Sequence, residues 1–517
     1  NGTPYLDFYA GIAVNSAGNC NPKVVAAAKD QLDDIMHTFN YPYTIPQALL
    51  AEKVCETIGM DKIFYQNSGT EANEAMIKMA RKYGIEKYGP NIKKMYGAEM
   101  EKLKWSQDDP GIYQLSYAGV NQKTLTTGGS CQIQWAALKE NDYKYPKTLD
   151  EYEKMIKSYL AAHPKTEDGL DMIGITMSAS DWHWMITLGN PAGLIADASP
   201  DNGQWIIDDE YNVHYKHVTD EEKEYFKWLC RMYNEGILDP NFATQTDDDY
   251  IAKVASGRVV AITDAEWHYS QCEATLVADG KVDQTYVGLP VTLREDQVEK
   301  ALLYQGTTVG WGIGITKSCE DPVRAIKFLD YLCSDEGQIL YHWGIEGENY
   351  FLDDDGQPYR TDEEVAKAQS DPDYAKNTGI DNYTGFPIYG TGSYSEDGFP
   401  YTPTTKESVI ANYNTAEKEG CEAMGFEMLT DMFAQPEEFD LLPYSALWAY
   451  QQPQELAEKQ TILDEIAWPG LVKCVTGTED EFDGNWKSMV QELTDNGLAD
   501  AEEAMTEFLA TKLVDVE

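Results

Sequence analysis

Apolar residues recur along this chain at two spacings, punctuated by proline, glycine and helix-capping residues. From Pro22, the positions Val24, Val25, Ala28, Leu32 and Ile35 fall on one helical stripe. A second helix is predicted from Pro46 through Leu49, Leu50 and Val54 to a stop near Gly59. Residues 62–65 (Lys-Ile-Phe-Tyr) have strand character, and residues 67–70 (Asn-Ser-Gly-Thr) turn the chain into a helix bearing Ala75, Met76, Met79 and Ala80. Further on, Thr148 and Glu151 predict a capping box ahead of Leu149, Tyr152, Met155, Ile156, Tyr159 and Leu160 at helical spacing. Thr219 with Glu222 opens another helix, striped by Tyr225, Phe226, Leu229, Met232 and Tyr233 and stopped by Gly236. A helix over residues 250–255 ends at Gly257.

Short apolar runs at 173–176 and 259–262 predict buried strands. Each opens into a polar loop carrying aromatics, Asp181-Trp182-His183-Trp184 and Asp264-Ala265-Glu266-Trp267-His268-Tyr269. Residues 308–316 alternate Val309, Trp311, Ile313 and Ile315 with Gly310, Gly312 and Gly314, which reads as a strand with glycine on one face. A dinucleotide fingerprint would need a strand-to-helix turn there, so that reading is set aside. Asp321-Pro322 starts a helix through Ile326, Leu329 and Leu332, and residues 334–337 start another that ends at Gly344.

Composition divides the 517 residues unevenly. Residues 1–91 hold 8 Lys/Arg and 10 Asp/Glu; residues 92–517 hold 32 and 78, and all 12 Trp. A net charge of −46 on the larger part, with no basic cluster, opposes nucleic acid and anionic membrane as partners. The nine Cys show no CxxC pair or Cys/His metal spacing, the seven His show no ligand spacing, and no run is apolar enough to span a bilayer. No metal site and no nucleophile–base signature is expected from the spacing. Asp353-Asp354-Asp355-Gly356 is read as a hairpin turn in preference to calcium ligands.

The strand, small-residue turn and helix at 62–80 make an anion site in principle: backbone N–H groups and the helix dipole face a phosphate. An ordinary helix cap uses the same residues. The wider string, from Tyr5-Leu6-Asp7-Phe8-Tyr9-Ala10-Gly11 through Asn21-Pro22-Lys23 to residues 67–78, resembles class III aminotransferases, the acetylornithine type in particular. That resemblance implies a fragment of a fold-type I pyridoxal 5′-phosphate (PLP) enzyme, with Ser68, Gly69 and Thr70 at the cofactor phosphate. Asn19 and Asn21 stand where the family has His. The chemistry also needs a Schiff-base Lys and a carboxylate on the pyridine nitrogen, and neither family word follows Asn91. The site is therefore expected to be incomplete and catalysis absent; a transaminase fragment is the alternative reading. Residues 85–91 suit either parent, and the join is read as accidental.

The succession from Gly310 to Cys333, then Asp335-Glu336-Gly337-Gln338 and Gly344-Ile345-Glu346-Gly347, resembles family 1 extracellular solute-binding proteins of ABC importers. Residues 146–152 and 468–486 support it, over about four fifths of the chain. The resemblance implies an α/β, two-lobe, periplasmic-binding-protein-like (type II) fold at 92–517, lacking its first β/α units. Residues 130–305 would be mostly one lobe; 306–517 would give the remainder of the other lobe, the hinge and C-terminal helices. It implies a lipid-anchored, extracellular or cell-envelope protein (cytoplasmic on the aminotransferase reading), a permease partner, an oligosaccharide ligand and no cofactor. Sugars want aromatic planes beside carboxylates, so Asp181, Trp182, Trp184, Glu266, Trp267, Tyr269 and Trp311 are the candidate ligand contacts. Trp228 and Trp343, inside helices, are assigned to cores. Opening at Asn1 without a signal peptide, the chain is expected to be a fragment at that end.

Overall fold

The computed structural model describes residues 17–35, 44–66, 68, 71–72, 75–76, 87, 89–106, 111–116, 119–196, 204–208, 210–302, 312–370, 373–383, 385–435, 438, 450 and 452–516. The chain forms two compact units, Asn1–Met79 and Ala80–Glu517.

In the first unit, helix Pro22–Asp34 begins at the Asn21 cap, and helix Ile45–Ile58 is closed by a Thr44–Gln47 capping box and by Gly59 at φ +70°. Both helices sit where their stop and start signals place them. Neither has a buried residue, and Val24, Leu32, Ile35, Leu49 and Leu50 are all exposed. Among the described residues, therefore, the apolar stripes have no core to receive them. Residues 62–66 carry no regular structure and join no ladder among the described residues, so the expected strand is not formed there.

The second unit is built on a four-stranded sheet. Strand Ile173–Thr176 runs parallel to Val259–Ile262; Cys131–Gln134 lies antiparallel to Val259–Ile262 on one side and to Tyr286–Leu289 on the other. A parallel bridge from Ile175 to Leu238 extends the order, giving 238, 173–176, 259–262, 131–134, 286–289. Nearly every strand residue is buried, as expected where helices cover both faces. Helix Leu149–Ala162 buries Leu149, Tyr152, Met155 and Ile156, the stripe read from its spacing. Its capping box is half made: Thr148 accepts from Glu151 N, but the Glu151 carboxylate turns back to Lys147 N at 2.9 Å. Helix Asp220–Asn234 buries Tyr225, Phe226, Leu229 and Met232 and ends before Gly236 at φ +73°. The C-terminal helices Gln454–Thr476 and Glu479–Asp495 join this same core through Leu463, Leu471, Phe482, Trp486 and Met489.

A second core gathers Ile92, Met95, Tyr96, Leu115, Val120, Leu329, Cys333, Tyr389 and Tyr401. Helix Pro90–Tyr96 is fastened there by the buried Asp330 carboxylate, which accepts from Asn91 N at 2.8 Å and Ile92 N at 3.0 Å. A carboxylate at a helix N-terminus satisfies free donors and complements the dipole. Among the described residues this core holds one strand pair, Leu115–Ser116 against Gly312–Ile313. Gly312 is required by it: a Cβ would lie 2.2 Å from the Leu115 carbonyl oxygen. Helix Pro322–Leu332 buries only Leu329 and Asp330, leaving Val323, Phe328 and Tyr331 exposed. Trp228 and Trp343 are buried, as assigned. Asp353–Gly356 is the hairpin turn joining Phe351–Leu352 to Pro358–Tyr359; the Asp353 carboxylate accepts from Asp355 N and Gln357 N.

Candidate functional site

Three neighbouring parallel segments end at one edge of the sheet, and each delivers part of one cluster. After Thr176 the chain forms a short 3-10 turn, Asp181–His183, begun by Asp181 at φ +55° and continued by a π-helical turn, Met185–Gly189. After Leu238 comes Thr246, the N-cap of helix Asp247–Ala255. After Ile262 comes helix Glu266–Ala278. Cross-links hold these segments together: Thr263 Oγ1 donates to Thr187 O at 2.7 Å, Gln245 Nε2 to Met177 O at 2.6 Å and Thr176 Oγ1 to Asp239 Oδ2 at 2.8 Å. The antiparallel strand enters at this edge from the second core, and Gln132 ties it in by accepting from Asp264 N. The carboxyl edge of an α/β sheet is where ligands bind.

Both predicted aromatic loops therefore meet, but as helical turns, and that changes which rings face outward. Trp182 and Trp267 are 45% and 63% exposed, and their rings lie nearly parallel, 11° apart with centroids 6.2 Å apart. Asp181 and Glu266 are exposed beside them in sequence. Tyr269 is 3% exposed: three residues after Glu266 in a helix, its ring is turned into the core against Tyr286, which removes it from the candidate surface. Trp184 stacks on Trp468 of the C-terminal helix, centroids 4.5 Å apart, and so packs inward. Trp311, Gly69 and Thr70 lie outside the described residues.

Beside the two tryptophans stand two histidines, each in ring contact with the tryptophan that precedes it. His268 Nδ1 is 2.8 Å from Asp264 Oδ2 and its Nε2 is 2.9 Å from Asp247 Oδ1. Tyr250 lies parallel to the ring and donates to the same Asp264 oxygen at 2.7 Å. Burial alone would lower the His268 pKa; the Asp264 and Asp247 carboxylates outweigh it and raise it. His183 stacks under Trp182, with Nε2 3.5 Å from Asp247 Oδ1. Spacing along the chain shows no metal set, yet the fold gathers His183, Asp247 and His268 with ligand atoms within 4.8 Å of one another. The signal was present as a repeated Trp-His pair, 182–183 and 267–268, visible only as two isolated words. A separate cavity of about 550 Å³ is lined by Asn241, Gln245, Asp249, Lys253 and Arg258 with no aromatic ring, so it lacks a stacking surface.

In the first unit, Ser68 Oγ accepts from Glu71 N at 3.2 Å, an ordinary cap. Of the three residues assigned to a cofactor phosphate, Ser68 alone is among the described residues.

The fold of the second unit is that of the two-lobe solute-binding proteins. The chain is similar to an extracellular solute-binding protein from Bifidobacterium longum subsp. infantis (TM-score 0.58, 16% identity, 84% of this chain and 83% of that one). It is also similar to an HMO-binding, ABC-transporter-associated solute-binding protein from Bifidobacterium longum infantis (TM-score 0.57, 14% identity, 82% of each chain). The N-terminal likeness is different: the family model for class-III aminotransferases matches residues 1–157. The acetylornithine aminotransferase of Methanocaldococcus jannaschii is 52% identical over 100 residues, 19% of this chain and 25% of that protein. The chain thus spans about a quarter of the length of the curated relatives it matches. The family match runs past residue 91, and Ile92, Met95 and Tyr96 within it pack into the second core. Two likenesses to unrelated proteins stand in one chain.

Proposed function

We propose that the chain captures a neutral oligosaccharide for an ABC importer, holding it on the Trp182–Trp267 surface with Asp181 and Glu266 as hydroxyl acceptors. The carrying observation is the parallel, exposed tryptophan pair at the carboxyl edge, beside the strand that crosses from the second core. Indole planes cover the C–H faces of pyranose rings, while the acidic rim disfavours uronate-bearing chains. Two cores joined at that edge support closure around the ligand, which shifts the open–closed balance. On this reading the working place is the cell envelope and the partner is a permease.

Tryptophan fluorescence titration of the whole chain with neutral and uronate oligosaccharides tests it. Saturable quenching by a neutral glycan is expected, with affinity about tenfold or more weaker in Trp267→Ala, a loss of about 1.4 kcal/mol or more. Equal affinity in that variant overturns the assignment. A PLP-transaminase reading has the N-terminal family match in its favour. It predicts a pyridoxal absorbance that survives dialysis, and we expect none.

A further inference from the structure

We propose that His183, Asp247 and His268 form a binding site for a divalent transition cation of the zinc class, with open coordination positions beside the Trp182–Trp267 surface. The inference rests on side-chain geometry and stands whether or not the sugar reading holds.

The spacing suits such an ion. Zinc bound tetrahedrally at about 2.0–2.1 Å from N and O donors holds its ligand atoms about 3.3 Å apart. Here Asp247 Oδ1 lies 2.9 Å from His268 Nε2 and 3.5 Å from His183 Nε2, and all three ligand atoms fall within 4.8 Å. The donor set also selects the metal: two imidazoles and one carboxylate suit zinc, nickel or copper, whereas calcium takes six to eight oxygens.

The outer contacts are those of a prepared ligand. His268 Nδ1 is engaged by Asp264, which is itself fixed by Tyr250 Oη at 2.7 Å and by Ala265 N at 2.7 Å. Such a carboxylate sets the tautomer and aims Nε2 at the ion. A metal-free account exists for half of the cluster, because an imidazolium at His268 clamped by Asp264 and Asp247 needs nothing further. It leaves His183 unexplained. That ring is largely buried, and the Nε2 that faces Asp247 makes a contact of 3.5 Å, too long for a good hydrogen bond; Nδ1 has no hydrogen-bond partner among the described residues. A cation at Asp247 gives the His183 lone pair a use. The three ligands come from three different segments cross-linked to one another, so the site is assembled by the fold. Three protein ligands leave at least one position for water or a ligand oxygen.

The test is calorimetric titration of the whole, tag-free, chelator-stripped chain with zinc chloride, with calcium chloride as comparison and cobalt(II) as a spectroscopic probe. One zinc per chain, no calcium binding, and the strong visible bands of low-coordinate cobalt are expected. His183→Ala and Asp247→Asn should each weaken zinc about tenfold or more, with near-UV circular dichroism unchanged. His214→Ala, an exposed histidine paired with Asp208 outside the cluster, should leave binding intact. Absence of saturable zinc binding, or binding undiminished in both folded cluster variants, overturns the proposal.

Discussion

Single residues decide which of the sequence-chosen aromatics are available. Asp264-Ala265-Glu266-Trp267-His268-Tyr269 reads as one polar loop, and composition alone offers no reason to separate Trp267 from Tyr269. The helix that begins at Glu266 separates them, sending one ring to solvent and the other to the core. The same turn places His268 between the Asp264 carboxylate, four residues back, and the Asp247 carboxylate of another segment, and no local spacing could show the second. Buried carboxylates supply a second consequence. Burial pushes Glu273 up to about 8 and Glu299 up to about 7. Their folded pKa values lie above the unfolded ones, so the native state holds protons that the unfolded chain releases between about pH 4.5 and 8. Stability from these two groups is full below that window and is lost as pH rises through it. His268, also raised, acts in the same direction. Thermal melts should therefore show a midpoint that falls from pH 5.5 to pH 8.5, by the equivalent of roughly 1–3 kcal/mol, and Glu273→Gln should flatten the slope. A midpoint rising over that range would refute the assignment.

At the level of elements, caps and short apolar runs were legible and ladder partners were not. Pro22, Pro46, Thr148, Thr219 and Ser334 all sit at helix starts, and Gly59 and Gly236 sit at φ > 0 just past helix ends. The helix expected over 250–255 starts three residues earlier, at Asp247, because Thr246 and Asp249 form a capping box. Residues 62–66 show the converse: strand-like composition makes a strand only where a neighbour completes the hydrogen bonds. Within the sheet, 173–176 and 259–262 were legible as buried runs, but Cys131-Gln132-Ile133-Gln134 was not, since its two glutamines are held in the interior by distant segments: Gln132 Oε1 accepts from Asp264 N and Gln134 Nε2 donates to Gly257 O. The cap at Thr246 carries a prediction, because it also positions Asp247. Thr246→Ala should cost about 1 kcal/mol in urea unfolding. A change below about 0.3 kcal/mol would mean that the cap contributes little. Gly420 carries another: a Cβ there would lie 2.2 Å from the Trp135 ring, so Gly420→Ala should destabilise by about 1–3 kcal/mol.

For the molecule as a whole, the sequence breaks in charge and in tryptophan content near residue 91, and the chain carries two unrelated likenesses, one of them the aminotransferase family match at residues 1–157. The allocation of the C-terminal helices was less legible: Gln454–Thr476 and Glu479–Asp495 share a core with residues 131–302. Burial predicts unequal protection. Amides of Cys131–Gln134 and Val259–Ile262, paired and buried, should exchange slowest; those of Pro22–Asp34 and Ile45–Ile58, helices of 13 and 14 residues without a buried side chain, should exchange fastest. Uniform protection along the chain would contradict that picture. The central claim is that a neutral glycan rests on two tryptophans brought together by neighbouring strands. Its most direct test is calorimetric titration of the folded chain and of a Trp182→Ala/Trp267→Ala double variant with neutral oligosaccharides. The account predicts one glycan bound per wild-type chain and none detectable in the double variant. Equal binding by both, or a well-folded wild type that takes up no glycan, would contradict it.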